Sequence, residues 1–133
     1  MAARVSDEGM KYHEDLLMGK YRYVMYRISD DSTQFVVDHA SSETDYDKFL
    51  EKVPADKIRF VTYDFSYRTT EGDERTRAIL INWMPNTAPL RERTKAAALV
   101  NDLRAYMHSR TNVHATDFSE LAFDAVKEAL NRR

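Results

Sequence analysis

Several short runs of this chain either alternate apolar and polar residues or are rich in aliphatic, β-branched and aromatic residues, and both patterns predict β-strands. These runs occupy residues 21–28, 34–39, 58–67, 75–83 and 111–115. Residues 30–32 supply a turn between the first two runs, and residues 69–73 supply another turn that contains Gly72. We therefore predict strands paired through short turns, with the last run as a short edge strand.

Other segments repeat apolar residues with the period of a helix. The longest predicted helix extends from about Ala88 to His108, and its apolar stripe contains Ala96, Val100, Leu103 and Met107. Shorter helices are predicted at residues 7–18, 45–51 and 117–131. Ser6 is suited to cap the first of these helices and Gly19 to end it.

The order of these elements predicts a mixed α/β fold. Hairpins interrupted by helices indicate a central mixed β-sheet of about five strands, with helices on both faces.

In the first helix we expect Met10, His13, Glu14 and Leu17 to share one face. In the last helix we expect the inner face to contain Phe118, Leu121, Ala125 and either Ala129 or Leu130. The chain length fits a single domain, 1–133, whose residues 1–5 would be a flexible N-terminal tail.

Composition and charge argue against several classes of function. The formal net charge is −2, without the basic excess of a typical nucleic-acid binder, and cysteine is absent. No apolar run approaches the roughly 20 residues that span a bilayer. The four histidines lack the spacing of a helical metal pair, and no glycine-rich phosphate loop occurs. We expect no catalytic residues, no metal, no cofactor, no nucleic-acid partner and no transmembrane segment.

The most informative segment is WMPNTAPLRER, residues 83–93. It indicates a strand end, a turn with two prolines and a helix start, with Pro89 in the first helical turn and Thr87 as a candidate cap. Arg91 and Arg93 then oppose the helix dipole, at a cost of roughly a few tenths of a kcal/mol each. Two solvated surface arginines are the ordinary interpretation, and an acidic partner is the alternative.

Three segments in this order resemble the actin-depolymerising factor/cofilin family. They are RFVTYDFSY at residues 59–67, the segment at 83–93, and ATDFSE at 115–120. The resemblance covers the chain from about Val5 to its C-terminus and implies a single ADF-homology (cofilin-like) domain. It also implies a monomeric, non-enzymatic protein of the cytoplasm and actin cytoskeleton. Such a protein would bind monomeric and filamentous actin in its ADP-bound form.

The function implied by the resemblance is filament disassembly, through depolymerisation and severing. Binding would stabilise an altered filament twist. The alternative within the family is a monomer-sequestering protein with weak or no severing. A relative that acts on a branched-filament nucleator, a small enzyme of an unrelated mixed-sheet fold, and a phosphoinositide-regulated membrane adaptor remain further alternatives.

The resemblance also implies two actin-binding faces. The face used for monomers and filaments would contain Arg4, Val5, Ser6, Asp7, Arg91, Arg93, Thr94, Val113 and His114. Arg91 and Arg93 are also candidates for binding phosphoinositide head groups. The family usually has a methionine, a bulky aliphatic residue and an aromatic residue where this chain has Thr94, Lys95 and Ala96. No hydroxyl occurs in residues 1–5, where family members carry a regulatory serine, and Ser6 is better suited to capping.

The filament-only face would contain Arg75, Arg77, Glu128 and Arg132. Two positions differ from the family pattern: Glu74 reverses a charge, and Ala129 replaces a basic residue. These two differences favour the sequestering alternative.

Overall fold

The computed structural model describes residues 3–132, so Met1, Ala2 and Arg133 lie outside the described residues. Its strands are β1 (Arg4–Val5), β2 (Tyr23–Ile28), β3 (Gln34–Ser41), β4 (Arg59–Arg68), β5 (Glu74–Trp83) and β6 (Asn112–Ala115). Its helices are α1 (Asp7–Leu17), α2 (Tyr46–Lys52), α3 (Leu90–Met107), α4 (Phe118–Leu121) and α5 (Phe123–Asn131). Within this part of the chain, no helix combines the length and apolar character needed to cross a membrane.

The strands form one mixed sheet in the order β1-β3-β2-β4-β5-β6. The hairpins β2–β3 and β4–β5 are antiparallel, as is the contact between β2 and β4. The edge strands β1 and β6 run parallel to their neighbours β3 and β5. The predicted mixed α/β fold is therefore confirmed, with six strands in the described residues where we expected about five.

Two hydrophobic clusters cover opposite faces of the sheet. One joins residues of β2, β4 and β5 to α1 and α3, and the other joins these strands to α2, α4 and α5. Strand β4 contributes to both clusters because successive side chains point to opposite faces, so Phe60 belongs to the first cluster and Val61 to the second. The helices therefore lie on both faces, as predicted.

Of the four residues that we expected on one face of α1, Met10 and His13 turn toward the core, whereas Glu14 and Leu17 are exposed. Gly9, His13 and Leu16 are buried, whereas Leu17 is 61% exposed. A Cβ on Gly9 would lie only 2.8 Å from Val5 Cγ1, and the Tyr26 hydroxyl donates to the Gly9 carbonyl at 2.8 Å. The absence of a side chain at Gly9 lets α1 approach the sheet closely on this side. Hydrophobic periodicity does not count a glycine as part of a buried face, so the contribution of Gly9 was missed.

The predicted last helix is two helices, separated at Ala122, whose ψ of 148° is not helical. The Asp117 side chain caps α4 by accepting from the Glu120 amide at 3.0 Å. The interruption rotates the following turn, so Val126 is buried at the position where we expected Ala125. Leu121 and Leu130 are buried as predicted, whereas Phe118 is 42% exposed.

The N-terminal segment differs from the flexible tail expected at residues 1–5. Ala3 and Val5 are buried. The Arg4 amide donates to the Thr33 carbonyl at 3.0 Å, and the Ser6 amide donates to the Phe35 carbonyl at 3.0 Å. Residues 3–5 are thus tied to the edge of the sheet by backbone hydrogen bonds and apolar burial.

Candidate functional site

The turn that connects β5 to α3 is held by the last strand. The amides of Met84 and Asn86 donate to the carbonyls of Ala115 and Thr116 at 2.9 and 3.1 Å. Met84 and Pro85 are buried. These contacts continue the β5–β6 ladder past the end of β5, and they fix the place where α3 begins.

Helix α3 starts without a side-chain cap. Its N-cap residue is Pro89, and the expected capping by Thr87 is wrong, because the Thr87 hydroxyl donates to the Ala55 carbonyl at 2.8 Å. Thr87 instead ties the turn to the segment before β4. Leu90, the first residue of α3, is 69% exposed.

The two arginines of the first turn of α3 have different environments. Arg91 is exposed, whereas Arg93 is partly buried and its Nε donates to the Ala88 carbonyl at 3.0 Å. This bond leaves the terminal guanidinium nitrogens of Arg93 available for an acidic group. With exposed Leu90 and Thr94, these residues form a basic surface that has an apolar side chain at its centre.

The N-terminal segment divides into outward and inward side chains. Arg4 and Asp7 are exposed and form an ion pair of 3.3 Å. The Ser6 hydroxyl accepts from the Gly9 amide at 2.9 Å, which confirms Ser6 as the cap of α1. Val5 is buried in the core, so its side chain positions its neighbours and is not presented to solvent.

Helix α3 lies between two parts of the face that is predicted to bind actin monomers and filaments, the N-terminal segment and the end of β6. Strands β1 and β6 form opposite edges of the sheet, so residues from these two strands lie on different sides of α3. Asp102 of α3 accepts from the Ala3 amide at 3.0 Å on the β1 side. On the β6 side, Val113 is buried and His114 is exposed.

The segment after His114 is fixed by local hydrogen bonds. The Thr116 hydroxyl and amide donate to Glu120 Oε1 at 2.6 and 2.7 Å. These bonds, with a smaller contribution from the charge of His114, hold the pKa of Glu120 below its usual value. A fixed anionic carboxylate therefore lies near His114.

We name the exposed and partly exposed residues around α3 the α3 surface. It consists of Arg4, Ser6, Asp7, Leu90, Arg91, Arg93, Thr94 and His114. The buried residues Val5 and Val113 are not part of it.

The strand arginines lie on the other face of the sheet. Arg75 is opposite Tyr67 in the ladder, and Arg77 is opposite Phe65. Residues that are directly opposite in an antiparallel pair point to the same face. Because Phe65 and Tyr67 belong to the cluster that α5 covers, both arginines project on the α5 side.

The end of α5 lies beside the same hairpin. The Asn131 side-chain amide is 3.5 Å from the Arg68 carbonyl, and Glu128 and Arg132 are exposed. The structure therefore brings Arg75, Arg77, Glu128 and Arg132 to one end of the molecule. We name these four residues the hairpin-end surface.

An ion pair occupies the start of β5. Glu74 lies opposite Arg68, and their side chains are 2.7 Å apart, both largely exposed. Exposed pairs of this kind contribute about 0–1 kcal/mol to stability. Their effect on the local charge is larger, because Glu74 offsets a basic group next to Arg75.

A cavity of about 580 Å³ separates the C-terminal end of α3 from the first half of β5. Its walls include His13, Ala78 and His108. Burial lowers the pKa of His13, partly opposed by a hydrogen bond to the Met107 backbone. His13 therefore binds a proton less readily in the folded protein than in the unfolded chain. Across residues 3–132, no three histidine, aspartate or glutamate side chains converge on a possible metal position.

Sequence reasoning missed two residues at these surfaces. Leu90 is an exposed apolar residue next to Arg91, and its position outside the apolar stripe of α3 was the available signal. Arg68 was missed because its relation to Glu74 depends on the register of the β4–β5 hairpin.

Comparison with known sequences identifies one family across the chain. The model of the cofilin/tropomyosin-type actin-binding proteins matches residues 2–131. The cofilin of Ogataea parapolymorpha is 37% identical over 131 residues, which cover 96% of this chain and 92% of the relative. The cofilin of Saccharomyces cerevisiae is 34% identical with the same coverage.

Solved structures give the same result. Streptomyces griseoflavus cofilin superposes with a TM-score of 0.89 at 26% identity, covering 99% of this chain and 98% of that chain. Plasmodium berghei actin depolymerization factor 2 shares the fold, with a TM-score of 0.83 at 22% identity and coverage of 98% and 97%. This chain therefore belongs to the cofilin/tropomyosin-type actin-binding protein family.

Proposed function

We propose that this protein binds actin monomers and filaments and promotes filament disassembly. The observation that carries the proposal is the basic start of α3, where exposed Arg91 and partly buried Arg93 flank exposed Leu90 in a chain of an actin-binding family. Arginine forms strong, charge-assisted hydrogen bonds with carboxylates. An apolar side chain between two arginines suits a partner surface in which acidic groups border a hydrophobic cleft.

The proposed mechanism uses binding energy alone. A protein that binds one filament twist more tightly than another shifts the filament toward that twist, by no more than its differential affinity. Filaments would then break at boundaries between decorated and bare segments, with ADP-bound actin as the preferred partner. No covalent step is involved, so the protein would act without catalytic residues, in the cytoplasm and on the actin cytoskeleton.

The α3 surface would serve both monomers and filaments. In this proposal Arg4, Asp7, Arg91, Arg93 and Thr94 contact actin together with His114, while Ser6 holds the start of α1. The buried Val5 would support this surface from the cluster under α3, while Val113 packs on the other face of the sheet and would position its neighbour His114. We further propose that phosphoinositide head groups compete for Arg91 and Arg93 and thereby inhibit actin binding.

The hairpin-end surface would add contacts that exist only in filaments. Its arginines are accessible, but Glu74 pairs with Arg68 beside them and Ala129 carries no charge. This reduced positive charge favours a second candidate function, sequestration of monomers with weak or no severing.

Co-sedimentation with actin filaments tests the proposal directly. We expect the protein to pellet with filaments and to raise the amount of soluble actin, with shortened filaments visible by fluorescence microscopy. A rise in soluble actin without pelleting or breakage would support sequestration. No binding to either form of actin would refute the proposed function.

Competition with lipid vesicles tests the phosphoinositide proposal. Vesicles that contain a phosphatidylinositol bisphosphate should release wild-type protein from actin, whereas neutral vesicles should not. If a variant with Arg91→Ala and Arg93→Ala still binds the charged vesicles at wild-type affinity, the head groups bind elsewhere.

A further inference from the structure

Two polar side chains of α3 reach toward the N-terminal edge of the sheet. Lys95 Nζ donates to Ser32 Oγ at 2.9 Å, and Asp102 Oδ2 accepts from the Ala3 amide at 3.0 Å. The two residues are separated by nearly two helical turns, so they lie along the same side of α3. This side borders the buried stripe that packs α3 onto the sheet.

The group that Lys95 contacts belongs to an ordered turn between β2 and β3. Ser32 is buried, with a φ of +63°, and its amide donates to the Ser29 carbonyl at 2.9 Å. Asp31 Oδ1 accepts from the hydroxyls of Ser29 and Thr33 and from the Thr33 amide. These bonds hold the pKa of Asp31 at about 2, so the turn keeps its anionic acceptor at neutral pH.

The turn between β2 and β3 also positions β1. The Thr33 carbonyl, one residue after Ser32, accepts from the Arg4 amide at 3.0 Å. Strand β1 has only two residues, and its ladder with β3 is correspondingly short. Ordering the backbone of a residue costs about 1–2 kcal/mol, so a short edge strand depends on further contacts.

We infer that Lys95 and Asp102 are positioning residues that clamp β1 to α3, Lys95 through Ser32 and Asp102 directly. The clamp sets Arg4 and the start of α1 in fixed relation to Arg91 on α3. The α3 surface is then ordered before a partner binds, so the free energy of binding is not reduced by the free energy needed to order this surface. This inference rests on the proposed function only for its consequence, tighter actin binding.

Hydrogen exchange in the free protein tests the clamp without actin. We expect Lys95→Met to speed exchange of the Arg4 and Ser6 amides by about three- to tenfold, because these amides depend on the turn and β1. Lys95→Arg, which retains a donor, should restore much of the protection. Lys52→Met is the matched control on α2, on the other face of the sheet, and should leave these amides unchanged. Unchanged exchange in Lys95→Met would overturn the inference.

Substitution of Ser32 separates the hydrogen bond from the lysine charge. Ser32→Ala removes the hydroxyl, and Ser32→Gly also removes the hydroxyl while relaxing the positive φ. Both should speed exchange at Arg4 as Lys95→Met does. A thermal melt identifies a variant that fails to fold, and the other Ser32 variant then supplies the result. Wild-type exchange in the folded Ser32 variants would contradict the clamp.

Monomeric actin binding tests the consequence. We expect Lys95→Met and Ser32→Ala each to weaken binding by about three- to tenfold, and the double variant to be no weaker than either, because both remove one bond. A loss in Lys95→Met alone, or additive losses, would mean that Lys95 contacts actin directly, and this would overturn the positioning role. If wild-type protein does not bind actin, the proposed function fails while the exchange data still decide whether the clamp exists.

Discussion

The α3 surface and the hairpin-end surface both present arginines, but they are built differently. In the α3 surface, Arg93 is bonded to the backbone and exposed Leu90 adds apolar area. In the hairpin-end surface, Arg75 and Arg77 project from the outer half of a hairpin, and an acidic residue lies beside them. Exposed charges in water interact weakly and are screened by salt. From this difference we expect the α3 surface to determine the affinity for actin, and the hairpin-end surface to make a smaller change to that affinity.

The largest effect is expected from Arg91→Ala combined with Arg93→Ala. Removing a charged partner from a desolvated pair costs about 1–3 kcal/mol, so the double variant should lose more than about tenfold in affinity for monomeric actin. Fluorescence titration of labelled actin monomers measures the loss, and a thermal melt monitors the fold. If the double variant binds monomeric actin with wild-type affinity, the α3 surface does not determine the affinity for actin.

A smaller and selective effect is expected from Arg75→Ala combined with Arg77→Ala. Filament binding should weaken by about fivefold, equivalent to about 1 kcal/mol, with little change in monomer binding. Co-sedimentation and monomer titration in parallel measure the two affinities, and the loss should shrink at higher salt. Equal losses for both forms of actin would mean that the two surfaces are not functionally distinct.

Reversing the acidic residue should strengthen the weaker surface. Glu74→Lys removes the pair with Arg68 and adds positive charge beside Arg75, so filament binding should improve by about two- to threefold. Glu51→Lys on α2 makes the same change of charge and serves as the control. If Glu51→Lys improves co-sedimentation as much, net charge explains the result and the hairpin-end surface does not.

The smallest expected effect is a pH dependence of stability that arises from the buried residue His13. The pKa of His13 is lowered below 6.5 in the folded protein, mainly by burial, with a further lowering from the charge of His108 and an opposing effect from Glu14. As the pH falls toward and below 6.5, the unfolded state takes up a proton at this position more readily than the folded state does. The free energy of unfolding should therefore decrease slightly from about pH 7.5 to about pH 5.5.

Urea unfolding at the two pH values measures this decrease. In His13→Gln the contribution of this residue to the slope should disappear, while His114→Gln, an exposed control, should retain it. An unchanged slope in His13→Gln would show that the buried imidazole is protonated as readily in the folded protein as in the unfolded chain.

Most elements were predictable because their signals are local. Alternation and runs of aliphatic, β-branched and aromatic residues located β2 to β6 within one or two residues, and helical periodicity and helix-stop signals located α1, α2 and α3. Ser6 and Gly19 were assigned correctly as the cap and stop of α1, because the hydroxyl of Ser6 and the positive φ of Gly19 act on neighbouring backbone groups. The break at Ala122 was not predictable, since no proline or glycine marks it.

The candidate surfaces were predicted less completely. Arg91, Arg75 and His114 are exposed, but Val5 and Val113, which the resemblance also placed in an actin-binding face, are buried. Alternation in short edge strands is too brief to show which side chain faces the core. The actin-binding roles of the exposed residues stay predictions until the variants are measured.

The sequence by itself determined the order of the elements from α1 to β6, the mixed α/β class, the family resemblance and the basic start of α3. All of these depend on residues close together in the chain. Only the tertiary structure decided which distant groups meet: Lys95 with Ser32, Asp102 with Ala3, and Glu74 with Arg68. It also decided how closely α1 approaches the sheet, because Gly9 packs against Val5 and Tyr26. Such contacts depend on strand register and helix rotation, which are set when the core packs and are not written in any one segment.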